Sequence, residues 1–167
     1  MHDAVLDTSP LIHLHEIDCR DLVTAVFRNI YIPEHVESEI RNEPILQFIH
    51  LYPDQIKVLK NPESELFSTK NAYSTYQLHL ADLAVLNLLT KIVDAVAVTD
   101  DLALRKAIES SGRTAVGTIG IIFRAFKLDV IDQSQLKDIV DRIFNDSTLY
   151  LNSAFRARVL AMVELLK

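Results

Sequence analysis

Ala4-Val-Leu-Asp7-Thr-Ser-Pro-Leu-Ile12 is the stretch that decides the fold. A short apolar run ends in Asp7, and Thr8, Ser9 and Pro10 then open a helix-like segment. The pattern predicts a buried strand over residues 4–7 and a short helix over roughly 9–16. It delivers a carboxylate to the C-terminal end of a strand, where open α/β sheets place their sites.

Working outward, the same grammar repeats. Asp94 to Thr99 contains Ala95, Val96, Ala97 and Val98, the continuous apolar character of a central parallel strand. Asn29 to Pro33 reads as a short strand stopped by proline, Ile56 to Leu59 as an edge strand, and Thr114 to Val116 as a short one. Helical spacing appears in Asp18 to Arg28 (Leu22, Val23, Val26, Phe27) and in Glu34 to Arg41, with Val36 and Ile40 inward. Further helices are expected over 43–53, Leu78 to Ile92, Asp101 to Ser110 with Gly112 ending it, and Gly117 to about Lys127. Two amphipathic helices follow, near 133–144 and 152–166. The polar segment 63–77 is either a helix with little core contact or a mobile stretch. Strands alternating with helices imply an α/β fold, three layers deep, around a central parallel sheet. The 167 residues suit one domain over 1–167, with helices from about 132 to 167 packed on it or on a second subunit.

The totals narrow the function. A chain this long can bury roughly 70% of its unfolded surface, so it needs no disulfides. Cys19 is the sole cysteine, which fits a reducing cytoplasm and excludes a Cys-rich zinc site. No basic segment leads into an apolar run at the start, so no signal peptide is expected, and no apolar run reaches the roughly 18 residues of a membrane span. Seventeen basic and 23 acidic residues give a formal charge of −6, unlike a basic sequence-reading DNA binder. A nucleic-acid enzyme remains open, because metal can neutralise carboxylates and basic groups can cluster locally.

The carboxylates carry the chemistry. Asp82 opens a helix, residues 78–89, that is apolar nearly all round. An unpaired charge there would cost several kcal/mol, and no Lys or Arg lies within one turn. It either faces a site or caps the helix. Asp100 and Asp101 follow a buried strand directly and point into the crevice of Asp7 if the two strands are neighbours. One of them can cap the next helix while the other serves the site. Glu39, among Glu34 and Glu37, reads by itself as part of a solvated face. Carboxylates gathered at strand ends are stable together chiefly around a hard divalent cation, Mg²⁺ best of all. Such an ion can lower the pKa of a bound water and stabilise charge on a phosphoryl group. Gly117-Thr-Ile-Gly120, at a helix start, is either a phosphate cradle or a packing turn. Arg105 and Lys106 could contact an RNA backbone, as could Arg113 and Arg124. The six histidines show no metal-ligand spacing and read as structural or surface. A phosphatase would want a second acid where Ser9 stands, and a phospho-accepting receiver would want a Lys near Thr114 to Val116, where none occurs.

Asp7-Thr-Ser-Pro-Leu-Ile12, Ile32-Pro33 followed by Val36-Glu-Ser-Glu39-Ile40, Asp82 opening the apolar helix, and Thr99-Asp-Asp101 together resemble the PIN domain. The Gly117 turn and the tail with Tyr150-Leu-Asn-Ser153 resemble its stand-alone branch, akin to VapC toxins. The resemblance covers nearly the whole chain. It implies an endoribonuclease dependent on Mg²⁺ or Mn²⁺, the toxin of a toxin–antitoxin pair, with RNA as substrate, an antitoxin as partner, and a homodimer. It implies the quartet Asp7, Glu39, Asp82 and Asp101, with Asp100 as neighbour or substitute at the metal. Ser9, Thr99, Arg105 and Thr118 complete the expected substrate-binding set. The alternative is a PIN-fold module that binds RNA or a partner without cleaving. The branch usually has Gly-Glu where this chain has Ala81-Asp82, an acid shorter by one methylene.

Overall fold

Five strands form one sheet, every neighbouring pair parallel. The computed structural model describes residues 1–166. In chain order they make β1 (His2–Leu6), α1 (Thr8–Glu16), α2 (Asp21–Val26), β2 (Phe27–Pro33), α3 (Glu34–Glu39), α4 (Glu43–Leu51), β3 (Ile56–Leu59), α5 (Glu63–Ala72), α6 (Leu80–Lys91), β4 (Val96–Val98), α7 (Leu102–Ser110), β5 (Ala115–Val116), α8 (Thr118–Lys127), α9 (Gln133–Asn145) and α10 (Ser153–Leu165). The strand order is β3-β2-β1-β4-β5. The chain leaves β1 toward β2 and β3, then returns to β1's other side with β4. This reversal opens a crevice at the C-terminal ends of β1 and β4. Leu6 lies opposite Val98 in the register, and the Asp7 N–H donates to the Val98 carbonyl at 2.9 Å. Asp7 and Thr99 are therefore neighbours at the C-terminal ends of β1 and β4.

The central strands are buried because their residues are apolar on both faces: Ala4, Val5, Leu6, Ala97 and Val98 are fully buried. Helices cover the sheet in two groups. One holds α3 and α6, which touch each other and β2, with α5 on the outer side of α6; the other holds α2, α8 and α9. The core is contiguous from Ala4 to Val163. A separate small cluster of Leu66, Leu83 and Ala84 joins α5 to α6.

The expected helix over Asp18 to Arg28 is cut short. α2 ends at Val26, and Phe27 begins β2 as a fully buried strand residue opposite His2. No loop separates helix from strand, because Phe27 itself turns from α to extended backbone at φ −112°, ψ 147°. Residues 63–77 contain the helix α5, with Leu66 and Thr69 buried. At the C-terminal end, α9 buries Leu136, Ile139, Val140 and Ile143 and packs on α8. α10 packs on α9 through Val159 and Val163, leaving Leu160 and Leu165 exposed. Among the described residues no helix is long and apolar enough to cross a membrane.

Candidate active site at the ends of the central strands

Asp7 stands where β1 becomes α1 and is largely buried. Its Oδ2 accepts two hydroxyl hydrogen bonds, from Ser9 at 2.9 Å and from Thr99 at 2.8 Å. Its Oδ1 has no partner among the described residues. Both donors are tied in turn. Ser9 Oγ accepts from the Asp100 N–H (3.1 Å), and Thr99 Oγ1 accepts from the Asp101 N–H (3.1 Å). The loop after β4 is thus laced to the loop after β1 through two hydroxyls.

Asp101 is the N-cap of α7: its Oδ1 accepts from the Leu104 N–H at 2.7 Å, leaving Oδ2 without a partner among the described residues. Asp82 caps a helix. It sits in the first turn of α6, where its Oδ2 accepts from the His79 N–H at 2.7 Å in a capping box. Burial raises the pKa of Asp82 above the ordinary carboxylate value. The His79 hydrogen bond opposes the shift, while the charges of Asp7 and Asp101 push it further up. Among the described residues no Lys or Arg pairs with Asp7, Asp82 or Asp101.

Asp100 has a different role. Its Oδ1 accepts from the Thr118 N–H at 2.8 Å; its Oδ2 accepts from the Thr118 hydroxyl at 2.5 Å and from His13 Nδ1 at 3.0 Å. Burial opposes its charge, but these hydrogen bonds outweigh burial and hold the carboxyl below its ordinary range. The N-terminus of α8 therefore already cradles an anion, the chain's own Asp100 carboxylate. Of the two readings of Gly117-Thr-Ile-Gly120, a phosphate cradle or a packing turn, this arrangement fits the packing turn. Gly117 is needed because a Cβ there would lie 2.5 Å from Asp100 Oδ1 and 2.9 Å from Arg105 Nη2.

The other expected site residues are placed as follows. Thr99 and Thr118 are fully buried, and their hydroxyls point inward to carboxylates, so they position acids instead of offering a hydroxyl to substrate. Arg105 donates to the carbonyls of Ala115 (3.1 Å) and Thr99 (3.2 Å), bracing the ends of β5 and β4. Arg113 likewise donates to the carbonyls of Ile92 and Ala95, and Arg124 lies over the Phe27 ring. Glu39 is exposed at the last residue of α3 and makes no side-chain hydrogen bond among the described residues. His13 was legible only as a structural histidine; its partner lies 87 residues away, and no local pattern marks the pair.

The donor set suits a hard divalent cation: oxygen only, anionic, and with no basic partner among the described residues. Asp7, Asp82 and Asp101 each hold one oxygen in place by hydrogen bonding and leave the other free. As the side chains stand, no three His, Cys, Asp or Glu among the described residues converge closely enough to hold an ion.

No curated protein matches the chain. A family model described as a PIN domain matches residues 3–165.

Proposed function

The chain belongs to the PIN domain family, and on that premise we propose that it is a metal-dependent endoribonuclease that hydrolyses RNA phosphodiester bonds. PIN domains are in general nucleases that use divalent metals, which sets the reaction class. One observation carries the proposal to this chain: two carboxylates at the ends of β1 and β4 and a third in the first turn of α6, each with one oxygen fixed and one free, and none paired with Lys or Arg among the described residues.

Asp7, Asp82 and Asp101 would hold Mg²⁺ or Mn²⁺, with Glu39 as the fourth acid that the family pattern supplies. Held there, the ion supplies Lewis-acid stabilisation of charge on the phosphoryl group. The chain's own residues provide order. Ser9 and Thr99 fix Asp7, the His79 and Leu104 amides fix Asp82 and Asp101, and Asp100 locks α8 beside them without joining the set. Hydrogen bonds that fix one oxygen of each acid are the kind of support that a preorganised site needs.

The proposal extends to the toxin of a toxin–antitoxin pair, acting in the cytoplasm as a homodimer. The order and spacing of the motifs support it, and a neighbouring small open reading frame whose product blocks cleavage is its check. The alternative, a PIN-fold binder that does not cleave, is favoured by the exposure of Glu39 and by the lack of a formed three-ligand cluster among the described residues. Incubating purified protein with single-stranded RNA separates the two. The nuclease reading expects cleavage with Mn²⁺, none with EDTA, and none from Asp7→Ala or Asp101→Ala. RNA binding without cleavage in Mn²⁺ or Mg²⁺ would establish the binder.

A further inference from the structure

We propose that the cavity between α3, α5 and α6 is a binding pocket for one unpaired nucleobase of the RNA strand cleaved at the acid site. This inference rests on the ribonuclease reading and deepens it. The cavity has a volume of about 250 Å³, the liquid share of roughly eight waters. That is room for a flat ring, not for a helix or strand of a partner.

Its walls suit a base. Phe67 and Leu80 are 67% and 53% exposed, large apolar side chains held at the surface on two sides of the hollow. Leu83 lies on the α6 side, and the His35 ring offers a second flat face. His35 Nδ1 is buried with no hydrogen-bond partner among the described residues, so packing alone holds that side of the ring. Aromatic and apolar faces of this kind are what single-stranded nucleic acid stacks upon. Lys70 and Glu63 also line the cavity. The ammonium suits the phosphate next to a bound base, and the carboxylate can accept from an exocyclic amine.

Placement ties the pocket to the chemistry. His35 and Glu39 are four residues apart on α3, one turn on the same side of the helix. Leu80 and Leu83 flank Asp82 in the first turn of α6. Two of the four expected acids therefore stand on the elements that wall the pocket. α5, which carries Phe67 and Lys70, buries only Leu66 and Thr69 against α6. Its exposed side chains are not required by the main core.

The test measures binding of fluorescent single-stranded heptaribonucleotides to the full chain in Ca²⁺, alongside cleavage in Mn²⁺. A series of oligonucleotides carries one abasic site at each position in turn. Stacking on one base predicts a loss of roughly 5- to 160-fold for wild type at one position of the series. Phe67→Ala binds intact RNA more weakly by a similar factor, loses nothing further at that position, and Phe67→Trp restores both. Leu80→Ala shows a smaller loss of the same kind. Thermal unfolding checks that the variants remain folded, as the exposure of both residues predicts. If wild type cleaves RNA while the abasic profile of Phe67→Ala matches that of wild type, the pocket is wrong and the nuclease reading stands. If wild type neither binds nor cleaves, the ribonuclease reading fails and takes the pocket with it.

Discussion

Replacing Gly117 by alanine tests how the site is braced. A Cβ at this position would sit 2.5 Å from Asp100 Oδ1, closer than non-bonded atoms approach. Gly117 has φ −97°, which any residue adopts, so the cost is contact alone and not backbone strain. The carboxylate must move, and it is held by the Thr118 N–H at 2.8 Å, the Thr118 hydroxyl at 2.5 Å and His13 at 3.0 Å. A hydrogen bond to a charged group contributes about 1.5–3 kcal/mol, and a rotated Asp100 loses one or two of the three. The expected destabilisation is about 1.5–6 kcal/mol, against a total stability of roughly 5–15 kcal/mol. For a domain of this size that lowers Tm by roughly 3–24 °C. Urea unfolding followed by circular dichroism measures it. Gly112→Ala is the control: there the space is open, φ is +75°, and the left-handed backbone alone costs about 1–2 kcal/mol. A Gly117→Ala protein within about 0.5 kcal/mol of wild type would refute the claim that Asp100 is a fixed internal anion.

Other expectations follow from the same geometry. Asp82→Asn keeps an oxygen for the His79 N–H but removes a charge that burial and two neighbouring acids disfavour, so it unfolds at a higher temperature than wild type at pH 7 while losing cleavage. Because the folded pKa of Asp82 is raised, that advantage is full above it and shrinks as pH falls through it toward the ordinary value of 3.8; melting curves from pH 8 to 4 show this. Asp100 runs the other way. Its folded pKa is lowered, so its stabilisation is present above 3.8 and is lost as pH falls further through the folded value; the stability gap between wild type and Asp100→Asn should narrow only there. Thr99→Val leaves the Asp101 amide and Asp7 Oδ2 each short of a partner. It should cost about 1–3 kcal/mol in urea unfolding and, by loosening Asp7, roughly 100-fold in cleavage rate.

The parts of the site legible in the sequence were those carried by local pattern. Asp7 after an apolar run, Asp82 in a helix buried on most sides, and the Asp100-Asp101 pair after a strand each break an apolar context with a charge. Buried charge needs compensation, so each break is informative. The parallel sheet was readable for the same reason, since doubly covered strands are apolar throughout. The division of labour within Asp100-Asp101 was not readable. It depends on which carboxylate meets the N-terminus of α8, 18 residues on, and which caps α7. The roles of Arg105 and Arg113 were hidden similarly, because a guanidinium facing backbone carbonyls of other segments looks in sequence like one facing solvent. The end of α2 was missed because Phe27 continues the helical spacing while belonging to a strand.

Titration of the purified chain with Mn²⁺, followed by the loss of free-ion paramagnetic resonance signal, tests the central claim most directly and needs no substrate. Wild type is predicted to bind Mn²⁺ and to unfold at a higher temperature when it is bound, because an ion that binds only the folded state stabilises it. Asp7→Asn, Asp82→Asn and Asp101→Asn are each predicted to weaken that binding at least about 10-fold, the scale seen when even the outer partners of metal ligands are removed. Asp100→Asn is predicted to affect it less. Binding of Mn²⁺ that survives unchanged in Asp7→Asn and Asp101→Asn would contradict the assignment of these strand-end carboxylates as the metal site.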